Sequence, residues 1–509
     1  MLGLITRGAA QRFGMTPAYI SPAGWPLSYQ ELDQISDEVA SGLSARGLKL
    51  GDVVSLLLPP GLEYLVSYVG AAKIGAITAG VNYRLTANEQ LAILNNADPK
   101  LVITTVGGDS FGFPAVELTE ADSLNNLSAE IREPDSAPEI LSSDPNRPVA
   151  IIFTSGTTGT PKGALYCNRQ LEFITQTDVG DNWGGGTLSF TGTSFAHLGF
   201  MTKLPGNLKR GGTSFIMKTW SAKSALDLIA REKMVTIAGV PAQIALMLRH
   251  PDFDQYDLTS VQNIIVGGGP VTPGLAENAR KMFGARLATR YSCTEAGIGL
   301  GTSFDDPEED AILSVGRPLA AVSLRVIDES LNDVEPGETG EIALRSHAVM
   351  SEYWRDPKAT AAMFTPGGFI RTGDLGWIDE QGRVRLVGRS KEMYVRGGYN
   401  VYPVEVEAVL STHPDIANVV VIPQSDPVMG EVGVAFVVPR AGRPVVTLAD
   451  LHRHAGEQLA RYKLPAAILK IDDLPLTAGE KTDRAALAAI LSVTPAPLDP
   501  EFTPDANVR

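Results

Sequence analysis

Apolar and polar positions switch repeatedly between two periods along the chain. Residues 52–58 form a short apolar run that suits a buried strand, and 62–74 carry an apolar face at helical spacing. Residues 76–81 return to a strand pattern. Thr86-Ala87-Asn88-Glu89 has the form of a capping box that opens the next helix, and 101–104 is again a strand. Strand–helix–strand repetition predicts parallel, right-handed crossovers and an α/β sheet. Residues 107–147 are richer in Asp, Glu, Asn, Ser and Pro and read as a polar connection. The alternation resumes with helices over 223–233 and 241–250, then a strand over 262–266 that ends in Gly267-Gly268-Gly269-Pro270. Short strands with glycine turns over 322–327, 340–344 and 383–387 predict a smaller β-rich subdomain. Beyond Gly388/Arg389 the pattern predicts helices over 403–412, 447–460 and 481–491 and strands over 416–422 and 432–438, enough for a second, small unit. The Pro-rich tail from Thr494 is expected to be loosely ordered.

A chain of 509 residues exceeds one ordinary domain, and 44% hydrophobic with 20% charged residues describes a globular protein with ample core. The net charge of −15 argues against nucleic acid as a partner, because phosphate contacts need a basic surface. No apolar run approaches the roughly 20 residues that span a bilayer, and the apolar start runs quickly into Arg7, too short for a signal-peptide core. Cys167 and Cys293 lie far apart and have no metal-ligand spacing, so a reducing cytoplasm is the expected location.

Candidate chemistry begins after the apolar run 149–153. Residues 154–163 read Thr-Ser-Gly-Thr-Thr-Gly-Thr-Pro-Lys-Gly, with three glycines, five hydroxyls and Lys162. Glycines let backbone N–H groups turn inward and hydroxyls add donors, which makes a cradle for a polyphosphate. The spacing is not that of a Walker loop, which needs a hydroxyl residue directly after the lysine, where Gly163 stands. Gly297-Ile298-Gly299-Leu300-Gly301 lacks the full dinucleotide-binding spacing and is discounted. The phosphate loop, the 267–269 glycines and Tyr291 all follow strand candidates, and α/β sheets bind ligands beyond the carboxyl ends of their strands.

The 154–163 stretch resembles the phosphate loop of the adenylate-forming superfamily: acyl-CoA synthetases, adenylation domains of peptide synthetases, and luciferases. Tyr291-Ser292-Cys293-Thr294-Glu295 is similar to that family's Tyr-Gly-x-Thr-Glu, with Ser292 in place of the glycine. Arg371-Thr372-Gly373-Asp374 resembles its Arg-Thr-Gly-Asp. Gly388-Arg389-Ser390-Lys391-Glu392 with Gly397-Gly398-Tyr399-Asn400 resembles its hinge and the segment after it. Pro475-Leu476-Thr477-Ala478-Gly479-Glu480-Lys481 resembles its final lysine motif, with Glu480 where glycine is usual. The motifs follow the family's order.

The resemblance implies an α/β fold: a large multi-subdomain N-terminal α/β domain with a β-rich subdomain, plus a small mobile α+β C-terminal domain. Residues 1–388 would bind ATP and acyl group, and 389–509 would be a lid carrying the catalytic lysine. Thr154, Ser155, Gly156, Thr157, Thr158, Gly159, Thr160, Lys162, Gly268, Gly269, Tyr291, Asp374, Arg389 and Gly398 would bind nucleotide or coenzyme A. Asp374 would accept from both ribose hydroxyls, as a two-oxygen acceptor can, and Tyr291 would offer its ring to adenine. Thr294 would donate to the α-phosphate and Glu295 would hold Mg²⁺, which takes one or two carboxylates beside phosphate oxygens. Lys481 would neutralise charge between carboxylate and α-phosphate, and Glu480 beside it is expected to point outward. His197, in an aromatic-His element, would line the carboxylate route without acid–base duty. Lys391 would be the hinge, and Arg396 and Arg440 are weaker candidates for coenzyme A phosphates.

The implied activity is an AMP-forming acyl-CoA synthetase using ATP, Mg²⁺ and coenzyme A. Its acid would be mostly apolar: fatty, aryl or steroid-derived. Val240, Ile244 and Met247 are the expected apolar lining, and Gly199, Gly267–Gly269, Gly297, Gly299 and Gly301 leave room. Expected partners are these small molecules, with no nucleic acid and no integral membrane segment, and a homodimer is left open. Alternatives are a stand-alone enzyme loading a carrier-protein pantetheine, a luciferase-like oxygenase, and a non-enzymatic binding protein. The last should have lost Lys481, Glu295 or Asp374, all of which are present.

Overall fold

Successive side chains of the strand Val53–Leu57 enter different cores: Val54 and Leu56 join one apolar cluster, Val53 and Leu57 another. A strand alternates its side chains between faces, so this strand is covered on both. A computed structural model describes the chain over residues 1–154 and 161–498. Val53–Leu57 lies inside a seven-stranded sheet ordered Glu352–Tyr353, Lys162–Cys167, Pro148–Thr154, Ile77–Gly80, Val53–Leu57, Leu101–Thr105, Ala115–Leu118. From Pro148–Thr154 to Ala115–Leu118 the pairings are parallel, and Lys162–Cys167 folds back antiparallel. The capping box over Thr86–Glu89 opens the helix Ala87–Ala97 as expected.

A second sheet starts with the parallel strands Thr236–Gly239, Asn263–Gly267 and Arg286–Tyr291. The predicted β-rich part is an antiparallel sheet of Ser323–Ile327, Gly340–Arg345, Ile370–Ile378 and Val384–Arg389. The C-terminal part pairs Tyr399–Val401, Tyr394–Arg396, Gly430–Pro439 and Ile416–Asp426, with Ala467–Lys470 added in parallel. This is the expected α/β architecture of a large N-terminal part and a small C-terminal one.

Several local expectations shift. The 107–147 connection contributes the edge strand Ala115–Leu118 and buries Leu127 and Ile131. The last helix begins at Arg484, because Asp483 caps it by accepting from the Ala486 N–H; Lys481 therefore stands in the loop before it. The helix expected over 447–460 ends at Ala455, before Gly456. The tail expected to be loose from Thr494 docks at least to residue 498: Ala496 is buried and exchanges bonds with the Gln424 side chain at 2.8 and 3.2 Å. Among the described residues no helix is long and apolar enough to cross a membrane.

Candidate active site

The loops that follow the parallel strands converge. Asn82 and Arg84 follow Ile77–Gly80, Thr154 ends Pro148–Thr154, and Val240 follows Thr236–Gly239. Gly268 and Gly269 follow Asn263–Gly267, and Thr294 and Glu295 follow Arg286–Tyr291. Six residues expected in the phosphate loop, Ser155, Gly156, Thr157, Thr158, Gly159 and Thr160, lie outside the described residues. Thr154 and Lys162 pair across the hairpin that carries them. Lys162 Nζ stands 5.3 Å from the centre of the Tyr353 ring, and Tyr353 Oη donates to Glu295 Oε1 at 2.7 Å. The Thr294 carbonyl accepts from Tyr166 Oη at 2.6 Å, and the Glu295 carbonyl accepts from the Met350 N–H at 2.9 Å. Lys162, Thr294 and Glu295 thus meet on a fixed backbone. Glu295 Oε2 takes no protein hydrogen bond among the described residues.

Asp374 joins two motifs. It is 7% exposed, accepts from Tyr291 Oη at Oδ2 (2.6 Å) and from Arg389 Nε at Oδ1 (2.7 Å). Arg371, three residues before it in the chain, pairs instead with Glu341 at 2.6 Å. Each Asp374 oxygen retains a lone pair for a further donor. Burial and the Asp374 charge push the Tyr291 phenol well above its ordinary value. Gly268 and Gly269 lie beside Val240 and Pro241, which a methyl group on either glycine would touch at 3.4–3.5 Å.

The C-terminal loop closes over this floor. Its Ala478 carbonyl accepts from Asn82 Nδ2 at 3.2 Å. Asn82 Nδ2 also lies 3.0 Å from His197 Nε2. An amide nitrogen donates, so Nε2 is the acceptor and the ring is neutral. Burial, with the Lys481 charge adding to it, lowers the His197 pKa to about 4. The Lys481 side chain is exposed to solvent, on the loop that faces this floor. Desolvation, then the Arg389 charge, lower its pKa, while Cys293, Asp374 and Glu295 pull the other way. The Lys481 backbone is tied to Thr477 by two bonds, of 2.7 and 3.3 Å. The structure therefore brings Lys481 within electrostatic reach of His197, Glu295, Asp374 and Arg389.

Other expectations are corrected. Glu480 does not point outward: it is buried and ion-paired with Arg84. Arg396 is buried, and donates to the carbonyls of Tyr462 and Leu464 at 3.1 and 2.5 Å, so its guanidinium braces its own unit. Arg440 donates to the Ile416 carbonyl at 3.0 Å in the same way. Ile244 and Met247 belong to a buried cluster of the second sheet. Gly297 is small for packing: its φ is 75°, and a Cβ would come within 2.4 Å of the Ala348 carbonyl. Gly299 and Gly301 likewise press on the Tyr291 and Thr289 carbonyls. Gly398 lies in the turn between Tyr394–Arg396 and Tyr399–Val401. Gly397 and Gly398 both have positive φ there, as a tight two-residue hairpin needs. Asn82, Arg84, Gln243 and Tyr353 escaped the sequence reading. Asn82 and Arg84 had a signal, since they follow a parallel strand as the recognised loops do.

The chain matches the family model "AMP-binding enzyme" over residues 6–354 and "AMP-binding enzyme C-terminal domain" over 405–481. It is 33% identical over 482 residues to the fatty acid--[acyl-carrier-protein] ligase ScoC of Streptomyces coeruleorubidus, covering 92% of each chain. It is 33% identical over 466 residues to the indoleacetate--CoA ligase of Aromatoleum aromaticum, covering 89% of this chain and 91% of that one. Its fold superposes on ATP-bound MatB from Rhodopseudomonas palustris with a TM-score of 0.85 at 27% identity, over 97% of this chain and 100% of that one. Two family modules in the order the motifs required leave one conclusion: the chain belongs to the AMP-binding enzymes of the adenylate-forming superfamily.

Proposed function

We propose that the chain is an ATP-dependent acid–CoA ligase that activates a mostly apolar carboxylic acid as an acyl-adenylate and passes the acyl group to coenzyme A. The observation that supports this reading is the Asp374–Arg389–Tyr291 cluster, with the loop that carries Lys481 bound across to Asn82 and Arg84 and the Lys481 charge felt by Asp374, Arg389 and Glu295. In the first half-reaction a carboxylate oxygen attacks the α-phosphorus and the bond to pyrophosphate breaks. Lys481 offsets the repulsion between the two anions, a role that suits a compact charge. Asp374 keeps capacity for the ribose hydroxyls, and neutral His197 lines the carboxylate route. Glu295 would hold Mg²⁺ with its second oxygen; when bound, the ion neutralises phosphate charge. In the second half-reaction the thiol sulfur attacks the acyl carbon and AMP leaves. Residues 1–388 would act as one unit and 389–509 as the other, turning near Lys391 so that the Gly398 loop reaches the thiol path. The cytoplasm, where these substrates occur together, is the proposed location.

An apolar acid is supported by the state of nearby cations. Lys203 pairs with Asp178 at 2.9 Å and Arg84 with Glu480, so neither is spare for a second carboxylate. The likeness to a carrier-protein ligase favours a second reading in which the acceptor is a carrier-bound pantetheine. The test is a panel of octanoate, palmitate, benzoate, 4-coumarate and cholate, assayed for pyrophosphate release with ATP and for thioester with either coenzyme A or a holo-carrier protein. Pyrophosphate and acyl-CoA from one class of acid is the expected result. Thioester on the carrier protein alone selects the second reading, and no pyrophosphate with any acid rejects both.

A further inference from the structure

Beside Lys481 stands a charged side chain for which the chemistry above has no use. Glu480 is 6% exposed, and its φ is 64°, a left-handed conformation that residues with a Cβ adopt at a cost. Glycine would remove that cost, so the carboxylate must contribute something that glycine cannot. Its contacts cross to the first unit. One oxygen takes the Arg84 guanidinium, and the other lies 3.5 Å from Gln243 Nε2. The Gln243 side chain and the Arg84 backbone, which carry the two donors, are themselves tied down. Gln243 donates to the Gly192 carbonyl at 2.7 Å and accepts from the Val240 N–H at 3.2 Å. The Arg84 N–H donates to Asn82 Oδ1 at 3.0 Å, and Asn82 in turn holds the Ala478 carbonyl. The loop is therefore anchored at Ala478 and Glu480, directly before Lys481.

We propose that Glu480 is a positioning residue for acyl-adenylate formation. Its ion pair with Arg84 holds the 477–481 loop on the first unit, so that Lys481 faces the reacting phosphate. The pair breaks when the C-terminal unit turns for thioester formation. This rests on the assignment of Lys481 to the first half-reaction.

The test uses Glu480→Gln, Arg84→Met and the double variant of the full chain, with the best acid of the panel above. Two rates are read: pyrophosphate release from acid and ATP, and thioester formation from preformed acyl-adenylate and coenzyme A. Each single variant should slow the first rate about tenfold, and the double variant should be no slower than the slower single, because the two residues act as one pair. The second rate should hold or rise, which also shows that the variants are folded. Equal loss in both half-reactions, additive losses in the first, or a wild-type first rate would each overturn the proposal. Lys481→Ala separates the two levels of the argument. If it spares pyrophosphate release, the assignment of Lys481 fails. If it abolishes release while Glu480→Gln does not slow it, only the positioning role fails.

Discussion

Lowering the pH from 7 to 5 tests the neutral state of His197. Its Nε2 accepts from Asn82 Nδ2, and its surroundings desolvate any added charge. An ordinary histidine takes its proton near pH 6.5, whereas this one does so at about pH 4. Between those values the unfolded chain binds a proton that the folded chain refuses. The stability tied to this group is thus fully present above pH 6.5 and is lost as the pH falls. With those two values the loss is about 2 kcal/mol at pH 5 and levels at about 3 kcal/mol below pH 4. His197→Gln offers an oxygen to Asn82 and does not titrate. Thermal unfolding of both proteins at pH 7 and pH 5 isolates the effect: the wild type should lose more stability on acidification, by about 2 kcal/mol. Ring NMR of labelled histidines should show the His197 ring, identified as the signal missing in the variant, still neutral at pH 5. An equal fall for both proteins, or a His197 midpoint near 6.5, would refute the reasoning.

Asp374→Ala should weaken ATP binding by about 100-fold or more, since each of two ribose bonds to a charged acceptor is worth roughly 1.5–3 kcal/mol; calorimetric titration with ATP reads it, and unchanged affinity would place Asp374 outside the nucleotide site. Lys391→Pro, in the turn closed by the Glu392 N–H on the Arg389 carbonyl (3.0 Å), should spare pyrophosphate release while thioester formation from preformed acyl-adenylate drops sharply. Wild-type rates in both would put the hinge elsewhere. Arg484→Met should destabilise the C-terminal unit by about 3 kcal/mol, because it strips a buried carboxylate of its charged partner. Arg484 Nη2 donates to both Glu407 oxygens, at 2.6 and 2.7 Å. A thermal scan that matches wild type would contradict this.

Much of the fold was legible because its signals are local. The strands around Val53–Leu57 and Ile77–Gly80 announce themselves by short, mostly apolar runs, and the helix Ala87–Ala97 by its capping box. The sheet that joins Pro17–Ile20 to Ser214–Ile216 was not legible, because its pairing spans distant chain and short strands. At the site, the motifs gave the groups with distinctive spacing. They did not give their partners. Whether Asp374 answers Arg371 or Arg389 is decided by the antiparallel register that sets Asp374 opposite Arg389, and no local pattern encodes it. Glu480 was misread for the same reason: Arg84 is 396 residues away, so the local chain showed only a carboxylate beside a lysine. The glycines at 297, 299 and 301 looked like open space and are instead close backbone packing.

The central claim is that the acid's own oxygen is transferred to AMP. An acid of the panel labelled with ¹⁸O in its carboxylate, incubated with ATP, coenzyme A and the enzyme, tests it directly. Mass spectrometry of the nucleotide should find one ¹⁸O in AMP for each thioester formed, since the attacking oxygen stays on phosphorus when the thiol displaces it. Thioester formed with unlabelled AMP, or with the label in inorganic phosphate beside ADP, would contradict the acyl-adenylate route.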